Sequence, residues 1–269
     1  MTNKLFAATK ILVHGHRGAR ALRPENTLPA FDYAIELGVD CLELDMAVTK
    51  DNIVVVSHDP HLVPAFATGP AGTNTIREMT LAQLRKWDVG AKQNPAFPKQ
   101  VTVVGTRVPT LDEVFSLAPK GSFDFNIETK IFKEKPELTP SPEEFVKLVL
   151  TQVRKHKLER RVILQSFDFR TLAAMKKLEP SIRLSALLEP GKHDFVEVGK
   201  RAGAGIISPH FSIVTLENVA AAHAAGLQVV PWTANTPKDW DKLIEAKSDA
   251  IISDDPAALL AYLKDRGLH

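Results

Sequence analysis

The sequence predicts one (β/α)8 barrel, the TIM-barrel fold, over residues 1–269, with a small insertion after the second strand and its hairpin. Short runs rich in β-branched residues recur along the chain, and most are followed by a longer segment with the apolar spacing of a helix. A length of 269 residues matches one such barrel, and a hydrophobic content of 44% is enough for one large core.

The eight predicted strands are, in chain order, KILVHG, VDCLELD, SFDFNIE, RVILQSF, IRLSALLEP, GIISPH, LQVVPW and DAIISD. Helical patterns follow most of them, such as LPAFDYAIELG after the first and PAALLAYLKDRG after the last. Parallel neighbours need a crossover connection, so the alternation predicts a parallel sheet, and eight such units close into a barrel.

A ninth run, NIVVVSHD, follows the second strand after a short turn around Asp51. A turn this short makes an antiparallel hairpin rather than a crossover. With the turn centred there, Asp45 pairs near Ser57. His58 then returns to the level of Glu43 and Asp45, over the mouth of the barrel.

The segment from about 60 to 109 interrupts the barrel pattern. It contains a loop rich in Gly, Pro and Asn, the short helical patch LAQLRKW and a second turn-rich stretch, before TLDEVFSL resumes the pattern. Interruptions of this length in a compact barrel are typical of functional insertions, so we expect a cap over one side of the mouth.

Composition restricts the partners. The formal charge is only +2, which argues against nucleic acid and against an anionic membrane surface. No stretch reaches the roughly 18 apolar residues of a membrane span, so no stable membrane insertion is expected. The N-terminus lacks a signal-peptide core, which favours the cytoplasm and leaves a removed leader open. The one cysteine, Cys41, fits a buried thiol, and nothing indicates an oligomeric state.

Polar residues at strand ends are the candidates for chemistry, because the active sites of βα barrels form at the C-terminal ends of the strands. The positions that qualify are His14, His16, Arg17, Glu43, Asp45, His58, Asp59, Glu128, Lys130, Gln165, His210, Trp232 and Asn235.

Three of these candidates are carboxylates that should converge. Glu43 and Asp45 are two residues apart on one strand and Glu128 lies on the neighbouring strand, so all three face the same side of the sheet. A hard divalent cation such as Mg²⁺ or Ca²⁺ would relieve their repulsion. The alternative is a structural ion network with Arg17 and Lys130.

A cation held by carboxylates implies an anionic substrate, because the ion can be shared with a phosphate oxygen. Arg17 offers a planar fork for phosphate, and Lys130 offers a point charge. Each could instead form a salt bridge at the barrel rim.

Two histidines face the same mouth under the hairpin argument. His16 and His58 could supply a base for an attacking hydroxyl and an acid for a leaving oxygen. His14 lies one layer below His16 and is assigned to the core or to a supporting role. Gln165 and His210 are further candidates for substrate contact.

The motifs together resemble the glycerophosphodiester phosphodiesterase family. The matching strings run from Lys10 to Asp255 and are HRGARALRPENTLPAF, LELDMAVTKDNIVVVSHD, RVPTLDEVF, FNIETK, LQSFD and PWTAN. HRG with PENT, followed by E-x-D and HD in that order, is a specific combination.

The resemblance implies hydrolysis of glycerol 3-phosphate diesters to sn-glycerol 3-phosphate and an alcohol, with one divalent cation. It makes His16 and His58 the acid–base pair, and Trp232 a wall for the glycerol. It implies that Arg17 and Lys130 contact phosphate, and that the metal ligands are Glu43, Asp45 and Glu128. In PENT, Thr27 caps the first helix, whereas Pro24 and Asn26 shape the loop and are assigned no chemistry.

One departure from the family concerns the insertion. After HD the family usually continues with a leucine and an Arg-Thr-Thr-like stretch, whereas this chain reads PHLVPAFATGPAG. This segment lies nearest the alcohol of the substrate, so the head-group preference stays open.

Two alternative functions are retained. A phospholipase D-like enzyme acting on lysophospholipids or sphingolipids would need apolar surface at the mouth, which LVPAF could supply. A non-catalytic barrel could bind a phosphorylated metabolite, but it would not need an acid–base pair. The residues leave open whether water or the glycerol 2-hydroxyl attacks, and which histidine starts as the base.

Overall fold

The computed structural model describes residues 10–269. The prediction about a signal peptide rests largely on residues 1–9 and lies outside the described residues. The strands are β1 (Leu12–Gly15), β2 (Cys41–Val48), β3 (Val54–Val56), β4 (Asp124–Thr129), β5 (Val162–Ser166), β6 (Arg183–Leu188), β7 (Ile206–Pro209), β8 (Gln228–Val229) and β9 (Ala250–Ser253).

These strands form one sheet in the order β8-β7-β6-β5-β4-β2-β1-β9, with all neighbours parallel, and β3 is antiparallel on β2. Between β8 and β9, Asp249 N–H donates to the Val229 carbonyl and Ile252 N–H donates to the Pro231 carbonyl, both at 3.0 Å. The eight parallel strands therefore form a nearly closed barrel, which confirms the predicted fold.

Helices alternate with the strands as predicted. They are α1 (Leu28–Leu37), α2 (Leu81–Leu84), α3 (Leu111–Phe115), α4 (Pro142–His156), α5 (Phe169–Leu178), α6 (Phe195–Ala202), α7 (Leu216–Ala224), α8 (Pro237–Glu245) and α9 (Pro256–Lys264). Each begins after a Ser, Thr or Asp whose side chain accepts a hydrogen bond from a backbone N–H of the first turn, and Thr27 is the predicted cap of α1. Short 3-10 helices cover Ile76–Glu78, Ala118–Lys120, Pro136–Leu138 and Phe211–Ile213.

The main core lies between the sheet and the ring of helices. Strand residues such as Leu44, Phe125 and Ile127 are fully buried there against the helices. Their neighbours in sequence alternate into the barrel, where His14 and Cys41 are also buried. Both residues therefore lie where the sequence placed them.

The hairpin of β2 and β3 has the predicted register. Met46 is opposite Val56, and Ser57 N–H donates to the Asp45 carbonyl over 2.9 Å. Asn52 turns the chain with a positive φ of 60°, a conformation that Asn tolerates better than most residues. His58 consequently follows β3 at the mouth of the barrel.

The segment between β3 and α3 builds a small core of its own. Its buried apolar side chains pack on the outer face of the hairpin and include Leu62, Ile76, Met79, Leu84, Trp87 and Val108, together with Ala47 and Val55. This packing fixes the segment beside His58. Within residues 10–269, no helix has both the length and the apolar character that a bilayer span requires.

Candidate active site

A cavity opens at the C-terminal end of the barrel, where a βα barrel places its chemistry. Ten residues have a predicted role in catalysis, substrate binding or metal binding. Nine of them line the cavity, namely His16, Arg17, Glu43, Asp45, His58, Glu128, Lys130, Gln165 and Trp232, and His210 does not. Arg20, Phe167, Leu187 and Glu189 are among the other residues that line this reaction cavity.

The three predicted carboxylates converge on one wall of the reaction cavity. Asp45 on β2 pairs in register with Glu128 on β4, and Glu43 lies two residues below Asp45 on the same side of the sheet. One oxygen from each of Glu43, Asp45 and Glu128 lies within 4.8 Å of the other two, and all three residues are buried.

Negative charge is concentrated at this cluster. Burial and the charge of Asp45 raise the pKa of Glu43 well above its usual range, and burial raises the pKa of Glu128 despite the nearby Lys130. Burial also opposes ionisation of Asp45, but Lys130 and Arg17 hold the pKa of that carboxyl well below its usual range.

The donor set fits a hard divalent cation. It consists of carboxylate oxygens, and within residues 10–269 the buried Asp45 Oδ1 has an ion pair with Lys130 at 3.0 Å but no hydrogen bond of good geometry. A cation there would take the place of protons on acids that burial leaves difficult to ionise. The cluster therefore has the ligand chemistry and the spacing of a cation site.

Two fixed positive charges border the cluster. Lys130 Nζ lies 2.7 Å from Glu128 Oε1 and 3.0 Å from Asp45 Oδ1, and Arg17 Nε lies 3.1 Å from Asp45 Oδ2. These carboxylates raise the pKa of both basic groups, although burial works in the opposite direction. The ion pairs expected for a structural ion network are therefore present together with the features of a cation site.

His16 is held between two acids. Its Nδ1 lies 2.5 Å from Asp254 Oδ1, and its Nε2 lies 3.8 Å from Glu43 Oε2. Burial lowers the pKa of His16, and the charge of Asp254 opposes that shift. Asp254 was not identified from the sequence. It follows β9, so the rule that selected the other strand ends could have selected it.

His58 borders two cavities. It lines the reaction cavity and also a neighbouring one, the hairpin cavity, whose walls include Leu62, Val63, Phe66 and Val108. Its Nδ1 lies 3.0 Å from Asp59 Oδ1, and the side chains of His58 and Asp59 are 34% and 46% exposed. The side chain of His58 is therefore more exposed to solvent than that of His16, which is 12% exposed.

Gln165 contributes to the site through Glu43. Its Nε2 donates to Glu43 Oε1 over 2.8 Å, while its Oε1 accepts from Asn126 Nδ2 over 3.0 Å. Its side chain is buried, and Gln165 on β5 pairs in register with Glu128 on β4. The backbone N–H of Arg17 donates to the other Glu43 oxygen over 2.9 Å. Both oxygens of Glu43 are thereby oriented.

An aromatic wall faces the carboxylates. Phe167 meets Trp232 edge to face with ring centroids 5.6 Å apart, and both line the reaction cavity. Phe167 was not identified from the sequence, although it directly follows β5. His210 packs edge to face on Trp232 at 5.2 Å and lies with its Nδ1 2.7 Å from Ser212 Oγ, outside the cavity lining.

The loop formed by the PENT motif makes side-chain contacts with residues of the active site. Asn26 Nδ2 donates to Asp45 Oδ2 over 2.9 Å, and Glu25 Oε1 accepts from Arg17 Nη1 over 2.6 Å. Asn26 adopts a positive φ of 56° to make this contact. The view that Asn26 only shapes the loop is therefore incomplete, because it also orients a carboxylate of the cluster.

Known proteins are similar to this chain in sequence and in fold. A model of the glycerophosphoryl diester phosphodiesterase family matches residues 16–258. A glycerophosphodiester phosphodiesterase of Caldanaerobacter subterraneus is 34% identical over 258 residues, which is 96% of this chain and 100% of the relative.

Solved structures agree. One from Silicibacter pomeroyi, assigned to the glycerophosphoryl diester phosphodiesterases, superposes with a TM-score of 0.90 at 32% identity over 97% of this chain and 95% of that one. An Oleispira antarctica phosphodiesterase in complex with its product sn-glycerol-3-phosphate has a TM-score of 0.80, covering 94% and 96% of the two chains; at 24% identity this likeness concerns the fold.

Fold and site together define a TIM-barrel hydrolase with an acidic cluster suited to a divalent cation. The chain belongs to the glycerophosphoryl diester phosphodiesterase family. It is an enzyme, and its reaction is the hydrolysis of glycerophosphodiesters. The family resemblance inferred from the motifs is confirmed, and the non-catalytic alternative is not supported.

Proposed function

We propose that the enzyme releases sn-glycerol 3-phosphate from its diesters with one divalent cation, Mg²⁺ or Ca²⁺, held by Glu43, Asp45 and Glu128. The observation that carries this proposal is the convergence of three buried carboxylates with His16 and His58 at one barrel mouth. When bound, the cation supplies positive charge that neutralises the phosphate oxygens as the transition state forms.

Arg17 and Lys130 are the phosphate ligands in this proposal. Both line the reaction cavity beside the acidic cluster, so a phosphodiester there lies close to two fixed positive charges. Arginine can contact two phosphate oxygens at once, whereas lysine adds a compact charge. Trp232 and Phe167 form the apolar wall for the carbons of the glycerol.

Proton transfer falls to the two histidines. The His16 side chain is only 12% exposed, with Nε2 on the side of the acidic cluster, and His58 lies between the reaction cavity and the hairpin cavity. One takes the proton of the attacking hydroxyl and the other protonates the leaving oxygen. Whether water or the glycerol 2-hydroxyl attacks is a separate question, and the two routes need the same pair.

The leaving alcohol is proposed to enter the hairpin cavity, which His58 also lines. The walls formed by Leu62, Val63 and Phe66 favour alcohols with apolar carbons in contact with them. The LVPAF segment would thus contact the head group of the substrate. The phospholipase D-like alternative predicts that this segment contacts acyl chains instead. The cytoplasmic location stays a prediction.

The test is a coupled assay for glycerol 3-phosphate over several glycerophosphodiesters and one lysophospholipid, each with Mg²⁺, with Ca²⁺ and with chelator. We expect chelator-sensitive release from the glycerophosphodiesters and much slower turnover of the lysophospholipid. Faster turnover of the lysophospholipid would favour the phospholipase D-like alternative.

Variants assign the histidines. His16→Ala and His58→Ala should each lower turnover by about 10²–10⁴-fold in a folded protein. His156→Ala is the matched control, because His156 also pairs with an aspartate, at 2.6 Å, and does not line the reaction cavity. Near-normal turnover in either active-site variant would remove that histidine from the mechanism.

A further inference from the structure

We infer that Asp254 is a positioning residue for His16, which it holds in the tautomer with the proton on Nδ1 and with Nε2 facing the reaction cavity. The inference rests on the proposed role of His16 in proton transfer. It adds to that proposal a third residue, 238 positions away in sequence, that sets which ring nitrogen is free to react.

The geometry of the pair is directional. Asp254 Oδ1 lies 2.5 Å from His16 Nδ1, while Nε2 is turned toward Glu43, 3.8 Å from its Oε2. A carboxylate only accepts hydrogen bonds, so the short contact places the ring proton on Nδ1. The side chains of His16 and Asp254 are 12% and 9% exposed, so water competes poorly for either group.

The carboxylate is itself fixed. Asn235 Nδ2 donates to Asp254 Oδ2 over 2.7 Å, and Asn235 Oδ1 accepts from the Asp254 backbone N–H over 2.9 Å. The main chain is tied as well, because His16 N–H donates to the Ser253 carbonyl over 2.9 Å. Asn235 thus occupies Oδ2 and leaves Oδ1 for the imidazole.

The chemical consequence follows from the two ring nitrogens. Acting as a base, His16 takes the proton of the attacking hydroxyl on Nε2 while Nδ1–H stays bonded to Asp254, and the ring becomes an imidazolium beside a carboxylate. Acting instead as the acid, His16 starts as the imidazolium, gives its Nε2 proton to the leaving oxygen and ends in the neutral form. Asp254 stays ionised in both roles of His16 and stabilises the imidazolium.

His58 has no equivalent support. Its partner Asp59 is the next residue in the chain, at 3.0 Å, and both side chains are far more exposed than His16 and Asp254. Water can replace Asp59, so the orientation of His58 depends much less on its aspartate. The contrast makes Asp59→Asn a variant with a smaller expected effect.

Asp254→Asn is the sharpest test because the bonds of Asn235 decide how the new amide lies. Asn235 Nδ2 requires an oxygen at the Oδ2 position, which leaves the new NH₂ group facing His16 Nδ1. Nδ1 must then accept a hydrogen bond, so the proton moves to Nε2. The substitution should therefore invert the tautomer of His16.

The experiment combines kinetics with nitrogen-15 spectra of the full chain loaded with Mg²⁺. Wild type should carry the His16 proton on Nδ1 at neutral pH. Asp254→Asn should carry it on Nε2, with kcat lower by about 10²–10⁴-fold and KM within about twofold. Asp112→Asn is the matched control, since Asp112 pairs with His156 at 2.6 Å on the surface and should leave kcat unchanged.

Three results would overturn the inference. They are a wild-type His16 protonated on Nε2, an Asp254→Asn enzyme with kcat within about twofold of wild type, and a loss of kcat without a change of tautomer. If the variant fails to fold, the wild-type spectrum still tests the inference, because it shows which nitrogen of His16 carries the proton. Absence of glycerol 3-phosphate release from wild type would count against the proposed function, while the spectrum would still decide the His16 tautomer.

Discussion

Replacing Gln165 by Leu tests how the acidic cluster is held. Gln165 is buried and its amide donates to Glu43 Oε1 over 2.8 Å. Leucine has a similar size and no donor, so Glu43 Oε1 would remain in a buried place without its partner. A hydrogen bond to a charged group contributes about 1.5–3 kcal/mol.

That energy converts directly into cation affinity. At about 1.4 kcal/mol per factor of ten, Gln165→Leu should weaken Mg²⁺ binding by about 10–100-fold, the range typical of residues that orient a metal ligand. The measurement is a calorimetric titration with Mg²⁺, together with turnover as a function of Mg²⁺ concentration. At saturating Mg²⁺, KM for the diester should stay close to wild type.

The outcome separates two roles for Gln165. A direct substrate contact, the role suggested by its strand-end position, would raise KM even at saturating Mg²⁺. Gln152→Leu on α4 is a suitable control, because Gln152 is a partly buried glutamine outside the reaction cavity. A folded Gln165→Leu enzyme that binds Mg²⁺ within about twofold of wild type would refute the orienting role.

Two further predictions concern the core and the aromatic wall. Burial lowers the pKa of His14 to about 4, whereas an exposed histidine titrates near about 6.5. Protonation of His14 therefore favours the unfolded chain. The contribution of neutral His14 to the free energy of unfolding is fully present above pH ~6.5, and the free energy of unfolding falls by about 3 kcal/mol as the pH drops to ~4. His14→Gln should flatten that part of the stability profile in urea titrations, and an unchanged slope would contradict the assignment. Trp232→Ala should raise KM for the diester about tenfold, from about 1.5 kcal/mol of lost aromatic contact, while His210→Ala should change it by less than about threefold. Equal effects of the two changes would contradict the placement of His210 outside the cavity lining.

The barrel was predictable because its pattern is local. Each βα unit carries its own apolar period, and the hairpin register follows from the length of the turn before β3. The shortest strand, β8, has only two residues, and Pro231, two positions after its end, has no N–H to extend the ladder. The run LQVVPW and the helical pattern after it nevertheless predicted this strand.

The sequence predicted which strand ends carry the site residues, but it predicted fewer of the contacts that those residues make. The rule that polar residues follow strands found Glu43, Asp45 and Glu128, because alternation fixes the direction of each side chain. It could not give the contacts between side chains, so the hydrogen bond from Gln165 to Glu43 was not predicted, while a substrate contact of Gln165 stays a prediction.

Contacts made by loops were missed for a different reason. Asn26 reaches Asp45 only because its backbone adopts a positive φ, which no periodicity reveals. Asp254 meets His16 because closure of the barrel places β9 beside β1. That neighbour relation does follow from eight units, so a search across the closing strands could have found it.

The proposed reaction depends on one divalent cation held jointly by Glu43, Asp45 and Glu128. The most direct test is calorimetric titration of the full chain and of Glu128→Gln with Mg²⁺, and separately with Ca²⁺. We expect one ion per wild-type chain and an affinity lower by at least about 100-fold in the variant. A wild-type chain that binds neither ion, or a folded variant that binds both as tightly as wild type, would contradict it.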